Sequence, residues 1–489
     1  MSVTQKFSRG VAWMAIGNWT EQAVNFAVFV TLARLLGAKD YGLLAMASVF
    51  IVLSESLVRE SLSEYLIAAK APTSEDFNAT FWLLAALGCL LALLLIACSG
   101  IAARVYGEPE VRNIIIALSP SVVIVALNAV PVAILRRELN FRVLSLRAIA
   151  GVVLGGVVGI TMALKGFGVW SFVAQWLTLI ATNAVMAWTA VDWRPGFATT
   201  KAHVREAALF GGQVLGLRAG ELAATQTPLL VIGATLGPEA TGLYSVAWRL
   251  VETLSFLIVT PIRMASQSAF AALSREGNGA GQLLLDISRL TGTVALPFFV
   301  GLGALSGPML VFVFGPNWYA AAPVLSVLSG MGIYLCLTRV QMSFCLASGR
   351  AGAITLLAWG VVGLGALLSW LASPFGLVPA ALGLVAAHYL LWPLYFRIVS
   401  LISMRPVTDL LTIHGKPLVG ALIMGIAVAL VARWVDGLHA VIVLGICVPT
   451  GVAIYMAYAW LTMRDRFQLL LTYVRGQQEI TNPAENAKT

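Results

Sequence analysis

Fourteen runs of roughly twenty apolar residues dominate this 489-residue chain. A bilayer's hydrocarbon core is about 30 Å thick, and a helix needs about 20 apolar residues to cross it. Inside that core each backbone N–H and C=O must be paired within the protein, so only helices and closed barrels span it. The strands of a membrane barrel alternate polar and apolar residues; these runs are solidly apolar. They fall near 11–34, 42–63, 79–101, 113–135, 144–164, 168–190, 206–235, 240–264, 284–306, 320–346, 351–371, 377–400, 417–435 and 438–462, and are called segments 1 to 14 below. Charged residues make up only 11% of the chain, against about a quarter in soluble domains. The loops are short and leave no room for a soluble domain. Segment 1 is longer than a signal peptide and no small-residue cleavage site follows it, so it reads as a retained helix.

The net charge of +9 raises the question of nucleic acid, and its distribution answers it. With the N-terminus in the cytoplasm, nineteen of the 31 Lys and Arg residues fall in cytoplasmic loops and tails and five in outer loops. The positive-inside rule accounts for that asymmetry and puts both termini in the cytoplasm. The basic excess is therefore topology; nucleic acid is not an expected partner.

The chain repeats itself. "LGAKDYGL" at 36–43 matches "LGPEATGL" at 236–243, and extending back without a gap sets Glu21 on Glu221. With an offset of 208, "VYGEPE" at 105–110 faces "VFGPNW" at 313–318, Arg142 faces Arg350, and "GFGVW" at 166–170 faces "PFGLV" at 374–378. Six segments precede residue 200 and six lie between 206 and 400. Six is even, so both lobes start on the same side, as in transporters whose halves are related by an axis along the membrane normal. The expected class is an all-α polytopic membrane protein with about 14 transmembrane helices: two pseudo-symmetric six-helix lobes plus two C-terminal helices. The expected boundaries are 1–200 for the N-lobe (segments 1–6), 201–403 for the C-lobe (segments 7–12), and 404–489 for segments 13–14 and a cytoplasmic tail. The stretch 191–205 reads as the linker between lobes. Gly37 and Gly237 suit left-handed helix ends, and Gly42 and Gly242 suit tight turns into the next helix; a direct substrate role for the loop is the other reading.

Ionisable residues inside membrane helices usually face a cavity or a partner. Segment 1 carries Asn18, Glu21, Gln22 and Asn25, whose spacing puts them on one face. Segment 7 carries Arg218, Glu221 and Thr225 at matching repeat positions. Segment 8 has Ser245, Arg249 and Glu252 on one face and Arg263 near its inner end. Glu55 and Arg59 stand four apart on segment 2, Arg289 lies on segment 9 and Arg339 on segment 10. The seven intramembrane cations are all Arg (these six and Arg34). Arginine's flat fork of donors suits phosphate or carboxylate. Arg218, Arg249, Arg289, Arg339, Arg59 and Arg263 therefore read as candidate substrate-binding cations of a central cavity. Local pairing of Arg218 with Glu221 and Arg249 with Glu252, and interfacial anchoring of Arg59, Arg263 and Arg34, are the structural alternatives. Glu21, Glu221 and Glu252, with Asn18 and Asn25, are candidates for ion coupling or for a hydrogen-bonded polar face. Pro228 lies close to the Arg218/Glu221 face, where a proline kink would serve as a gate or as plain packing. Trp13, Trp19, Trp170, Trp248 and Trp318 suit sugar stacking or interfacial anchoring.

Signals of catalysis are missing. No G-x-x-x-x-G-K-[ST] phosphate loop occurs, the four histidines are scattered, and His388 reads as structural. The five cysteines lie inside apolar segments without metal-site spacing and read as small buried residues. No catalytic residue, metal or cofactor is expected, and the chain is not expected to be an enzyme.

The chain resembles the polysaccharide-transporter branch of the multidrug/oligosaccharidyl-lipid/polysaccharide exporter superfamily, the Wzx-type flippases. "ARLLGAKDYGLLAMASVF" at 33–50, "LRRELNFRVLSLR" at 135–147 and "ATLGPEATGLYSVAWRLVETL" at 234–254 carry the likeness, which covers most of residues 1–460. The resemblance implies a V-shaped two-lobe bundle in a bacterial inner membrane that alternates between inward and outward states. It implies an undecaprenyl-diphosphate-linked oligosaccharide as substrate, carried from the cytoplasmic to the periplasmic leaflet for exopolysaccharide, capsule or lipopolysaccharide assembly. The arginines would replace the water of the diphosphate, while the lipid tail stays in the bilayer. A polysaccharide polymerase and glycosyltransferases are the implied protein partners. A proton- or cation-coupled multidrug or lipid exporter of the same superfamily is the alternative; a membrane polymerase or ligase, or an inert scaffold, fits less well.

Overall fold

Each apolar run becomes a helix, and the ends are set by local chemistry. The computed structural model describes residues 3–61, 66, 72–276, 279–348, 352–435 and 437–463, with the side chains of 3–16 and 212–224 among those outside the described set. In chain order the helices are α1 (Val3–Leu35), α2 (Ala38–Ser61), α3 (Ser74–Tyr106), α4 (Pro109–Arg137), α5 (Phe141–Leu164), α6 (Trp170–Thr189) and α7 (Lys201–Glu276), followed by α8 (Ala280–Ala304), α9 (Ser306–Phe314), α10 (Ala322–Ala347), α11 (Gly352–Ala372), α12 (Leu377–Ser403), α13 (Val407–Trp434) and α14 (Ala440–Thr462). Among the described residues there is no strand. Eleven of the described helical stretches are long and apolar enough to cross a membrane.

α3 shows how the ends are written in sequence. Thr73 and Asp76 form a reciprocal capping box, in which the Asp76 N–H donates to the Thr73 hydroxyl and the Thr73 N–H to the Asp76 carboxylate. Two otherwise orphaned donors of the first turn are thereby satisfied. Gly107 ends the helix in the left-handed region, and Pro109 opens α4 where no N–H is needed. The 208-residue repeat carries into the backbone: Gly107 and Gly315 both have positive φ, as do Gly168 and Gly376.

One expectation is corrected at the join of segments 7 and 8. Segments 7 and 8 are two helices, as expected; they meet at a break where Gly237 adopts φ 82° and ψ −175°, and together carry the label α7. That conformation is open to glycine but is not the left-handed helix end expected, and Gly37 does not have positive φ. Pro228 lies within the first arm of α7, nine residues before that break. The sequence reading also missed the short α9 and the 3-10 turn Pro316–Ala321 that precede α10.

The linker is shorter than expected, because α7 begins at Lys201. It is tied to the start of α3. Asn78 donates to the Ala198 carbonyl and accepts from the Gly196 N–H, the Trp82 indole donates to the Gly196 carbonyl, and Phe197 stacks on Trp82 at 5.0 Å.

By internal packing the chain forms two units. Unit 1 holds residues 1–247, 313–324 and 355–387, so it joins the first six helices to three stretches of the second half. Unit 2 holds 248–312, 325–354 and 388–489. In unit 1, α1 and α5 pack so closely that a Cβ on Gly17 would lie 2.2 Å from the Ser145 hydroxyl, and one on Gly156 would lie 2.5 Å from Val28. Small residues at such contacts let helix backbones approach where lipid supplies no hydrophobic drive. In unit 2, α8, α13 and α14 bury Leu296, Met424, Val428, Cys447 and Tyr455 together.

Candidate functional site

The repeated loops meet each other. A Cβ on Gly42 would stand 1.7 Å from the Pro238 carbonyl oxygen, and a Cβ on Gly242 would stand 1.8 Å from that of Ala38. Pro238 is four residues before Gly242, and Ala38 is four before Gly42. The contact is therefore reciprocal: the first turns of α2 and of the second arm of α7 (238–276) cross, each glycine facing the other helix's opening carbonyl. These glycines serve this crossing, beyond the tight turn expected from sequence.

Other repeat motifs assemble around it. Tyr41 is buried, its hydroxyl donates to the Phe29 carbonyl, and its ring meets Phe29, Phe172 and Trp318 edge-on at 5.5, 4.6 and 5.4 Å. The Trp318 indole donates to the Ala33 carbonyl at 2.7 Å, and the side chain is 1% exposed. Trp318 is thus a structural anchor, not a sugar-stacking surface. The Arg34 Nε donates to the Val313 carbonyl at 2.9 Å, so its guanidinium joins this assembly. Gly233 lies against Tyr106, and Gly168 against Asp40.

The charged groups of unit 1 form a second feature. Glu55 of α2 is 3% exposed; its Oε1 accepts from the Ser121 hydroxyl of α4 at 2.5 Å and from the Trp176 indole of α6 at 3.0 Å. Its Oε2 lies 3.7 Å from the Arg59 guanidinium, whose side chain is 58% exposed. A buried carboxylate is tolerated only when such donors replace its water. Glu55 thereby ties three helices together and fixes the root of Arg59. On α1, Glu21 is half-buried, and its strongest charged neighbours are Arg147 of α5 and Arg59. Arg147 in turn neighbours Arg136, Arg59 and Glu21, and its Nε is buried without a hydrogen-bond partner among the described residues. Asn25 is half-buried on the same face of α1, and Asn18 is exposed.

In unit 2 two of the candidate cations are paired, one is half-buried and one is exposed. Arg249 lies 4.0 Å from Glu252, the i, i+3 pairing foreseen as an alternative. Arg289 is held by Asp286 at 3.3 Å. Arg339 is half-buried on α10, and Arg263 is exposed. Such pairing is compatible with substrate contact, because each guanidinium has five donors. The side chains of Arg218, Glu221 and Trp13 lie outside the described residues.

Sequence reasoning missed Arg147 and Arg136 by assigning them to a cytoplasmic loop. The usable signal was Asn140, whose side chain caps α5 by accepting from the Val143 N–H. α5 consequently starts at Phe141 and carries Arg147 in its second turn. Ser121 and Trp176 gave no signal: only the fold brings them to Glu55. Of the cysteines, Cys336, Cys345 and Cys447 are buried as expected, whereas Cys89 and Cys98 on α3 are exposed.

A profile for the family described as "Polysaccharide biosynthesis protein" matches residues 31–323. The succinoglycan biosynthesis transport protein ExoT of Rhizobium meliloti (strain 1021) is 24% identical over 488 residues, covering 98% of each chain. The teichuronic acid biosynthesis protein TuaB of Bacillus subtilis (strain 168) is 24% identical over 72% of this chain and 73% of its own. The lipopolysaccharide biosynthesis protein WzxC of Escherichia coli (strain K12) is 22% identical over 72% of each. Among solved structures, the lipid II flippase MurJ in an inward closed conformation superposes with a TM-score of 0.73 at 14% identity, over 92% of this chain and 99% of that one. An inward-facing multidrug resistance MATE family transporter superposes with a TM-score of 0.57 at 16% identity, over 78% and 96%. These two share the fold.

Proposed function

The chain belongs to the polysaccharide biosynthesis protein family, and on that premise we propose that it is a flippase for undecaprenyl-diphosphate-linked oligosaccharide units. It carries them from the cytoplasmic to the periplasmic leaflet of a bacterial inner membrane, with both termini cytoplasmic. The observation that carries this reading is the match over 98% of both chains to a succinoglycan transport protein. The arginines supply a physical mechanism. A diphosphate crossing a low-dielectric slab loses its hydration, and guanidinium groups replace that water with charge-assisted, bidentate hydrogen bonds. Arg59, Arg218, Arg249, Arg263, Arg289 and Arg339 belong to this path. Glu21, Glu221 and Glu252 keep it from becoming an anion trap and are the candidates for coupling to an ion, while Asn18 and Asn25 line the same face as Glu21.

Two lobes, 1–200 and 201–403, alternate access around this path, with 404–489 as an appended pair of helices and a tail. The crossing at Gly42 and Gly242 closes the outer side in one state and parts in the other. Bending at Gly237, with Pro228 nine residues upstream, lets the two arms of α7 move apart. Polymerase and glycosyltransferases are its working partners, and they do the chemistry; this chain does none.

The decisive experiment deletes the gene and follows both surface polysaccharide and lipid-linked precursor. The expected result is lost polymer with precursor held on the cytoplasmic leaflet, restored by the intact gene. Unchanged polysaccharide with altered drug tolerance would refute the flippase reading and favour a multidrug exporter, which shares this fold.

A further inference from the structure

Three arginines converge where the α4–α5 turn meets α1 and α2. The connection from α4 to α5 is only residues 138–140, with Leu139 at φ 56°. So tight a turn keeps Arg136, in the last turn of α4, beside Arg147, in the second turn of α5. The close contacts of Gly17 with Ser145 and of Val28 with Gly156 have the same offset of 128 residues, so α1 and α5 run parallel in constant register. That register sets Glu21 level with residue 149, about 3 Å along the axis from Arg147 at 1.5 Å per residue. Arg59 reaches the same group from α2, its root fixed by Glu55.

The charges do not balance. Among the described residues three guanidinium groups meet two carboxylates, and Glu55 already takes two neutral donors besides Arg59. Among the described residues, Arg147 leaves a buried N–H donor with no acceptor. Buried donors are paired in most structures, and an orphan asks for an explanation. We propose that Arg59, Arg136 and Arg147 form a phosphate-binding seat in the first lobe, which receives the diphosphate of the lipid-linked substrate at the cytoplasmic surface. The seat rests on the flippase reading and adds to it. Arg136 and Arg147 make first contact where α4 ends and α5 begins; Glu21 positions Arg147 and Glu55 positions Arg59. The carboxylates hold the guanidinium groups apart until an anion bridges them.

The test uses the full-length protein in phosphatidylcholine nanodiscs. Binding of glycan-free undecaprenyl diphosphate is measured for the parent, R147Q, R147K, R136Q and, as a control on the exposed end of α3, R104Q. Loss of one charge-assisted contact weakens binding at least about tenfold, which is expected for R147Q and R136Q but not for R104Q. R147K falls between parent and R147Q, because lysine keeps the charge without the fork. Gel filtration and thermal unfolding check each variant; if R147Q does not fold, the exposed R136Q carries the test. Parent-like binding by R147Q and R136Q overturns the seat and leaves the flippase reading standing. Competition by phosphatidylglycerol at equal concentration shows a general lipid-headgroup site and overturns the substrate assignment. A parent that does not bind the diphosphate overturns both.

Discussion

Replacing Gly42 by alanine tests the crossing most directly. The new Cβ would stand 1.7 Å from the Pro238 carbonyl oxygen, 2.4 Å from its carbon and 2.9 Å from its Cα. These are backbone atoms, so no side-chain rotation relieves the clash. A carbon and a carbonyl oxygen rest about 3.3 Å apart at closest, so the helices must separate by roughly 1.6 Å. Overpacking of this kind costs about 1–3 kcal/mol. If only the crossed state pays it, the equilibrium shifts by roughly 5- to 150-fold toward the parted state. Gly242→Ala repeats the clash against the Ala38 carbonyl at 1.8 Å. Lys39 and Glu239 are exposed beside the crossing, so spin labels at K39C and E239C, with the five native cysteines replaced, report its separation by pulsed electron resonance. The parent is expected to give a short distance, G42A and G242A a growing long-distance population, and the double variant more of it. A short, unchanged distribution in all three variants, with the parent's rate of export, would show that these glycines are not needed for the crossing and would refute the reasoning.

Three further outcomes are expected. Trp318→Phe keeps a ring but loses the hydrogen bond to Ala33, which costs about 1 kcal/mol, whereas Trp318→Ala costs about 3–5 kcal/mol; equal thermal shifts for the two would contradict the anchor. Glu55→Ala strands the donors of Ser121 and Trp176 at about 1–3 kcal/mol for each buried group and therefore destabilises more than Glu55→Gln, as thermal unfolding in detergent would show; the reverse order rules out the hydrogen-bonded reading. Single Ala and Lys replacements of Arg249, Arg289 and Arg339 are expected to slow export about tenfold or more for Ala at matched protein levels, and unaffected export in all of them removes the arginine path.

Several features were legible because they are properties of single segments. The repeated motifs that hold the glycines at 107, 315 and 376, and the apolar runs that became α2 to α5, all announce themselves locally. The Arg249–Glu252 pair could be foreseen because i, i+3 neighbours on a helix always meet. Trp318 was misread because an indole looks the same in sequence whether it anchors an interface or fills a core. Arg147 was counted with the basic residues of the cytoplasmic loop although segment 5 begins at 144; only the packing of α5 shows that its Nε is buried.

Sequence alone determined the class of fold, the number of apolar runs and the existence of the repeat. The bilayer enforces those features one segment at a time: each backbone must satisfy its own hydrogen bonds, and each segment must match the same thickness. Only the tertiary structure decided what the repeat is for. It set Gly42 against Pro238 and Gly242 against Ala38, put Trp318 on Ala33, gave Glu55 its partners on α4 and α6, and left the buried Nε of Arg147 without one among the described residues. Those contacts join residues tens to hundreds of positions apart, and hydropathy has no means of naming the helix that a given face will meet.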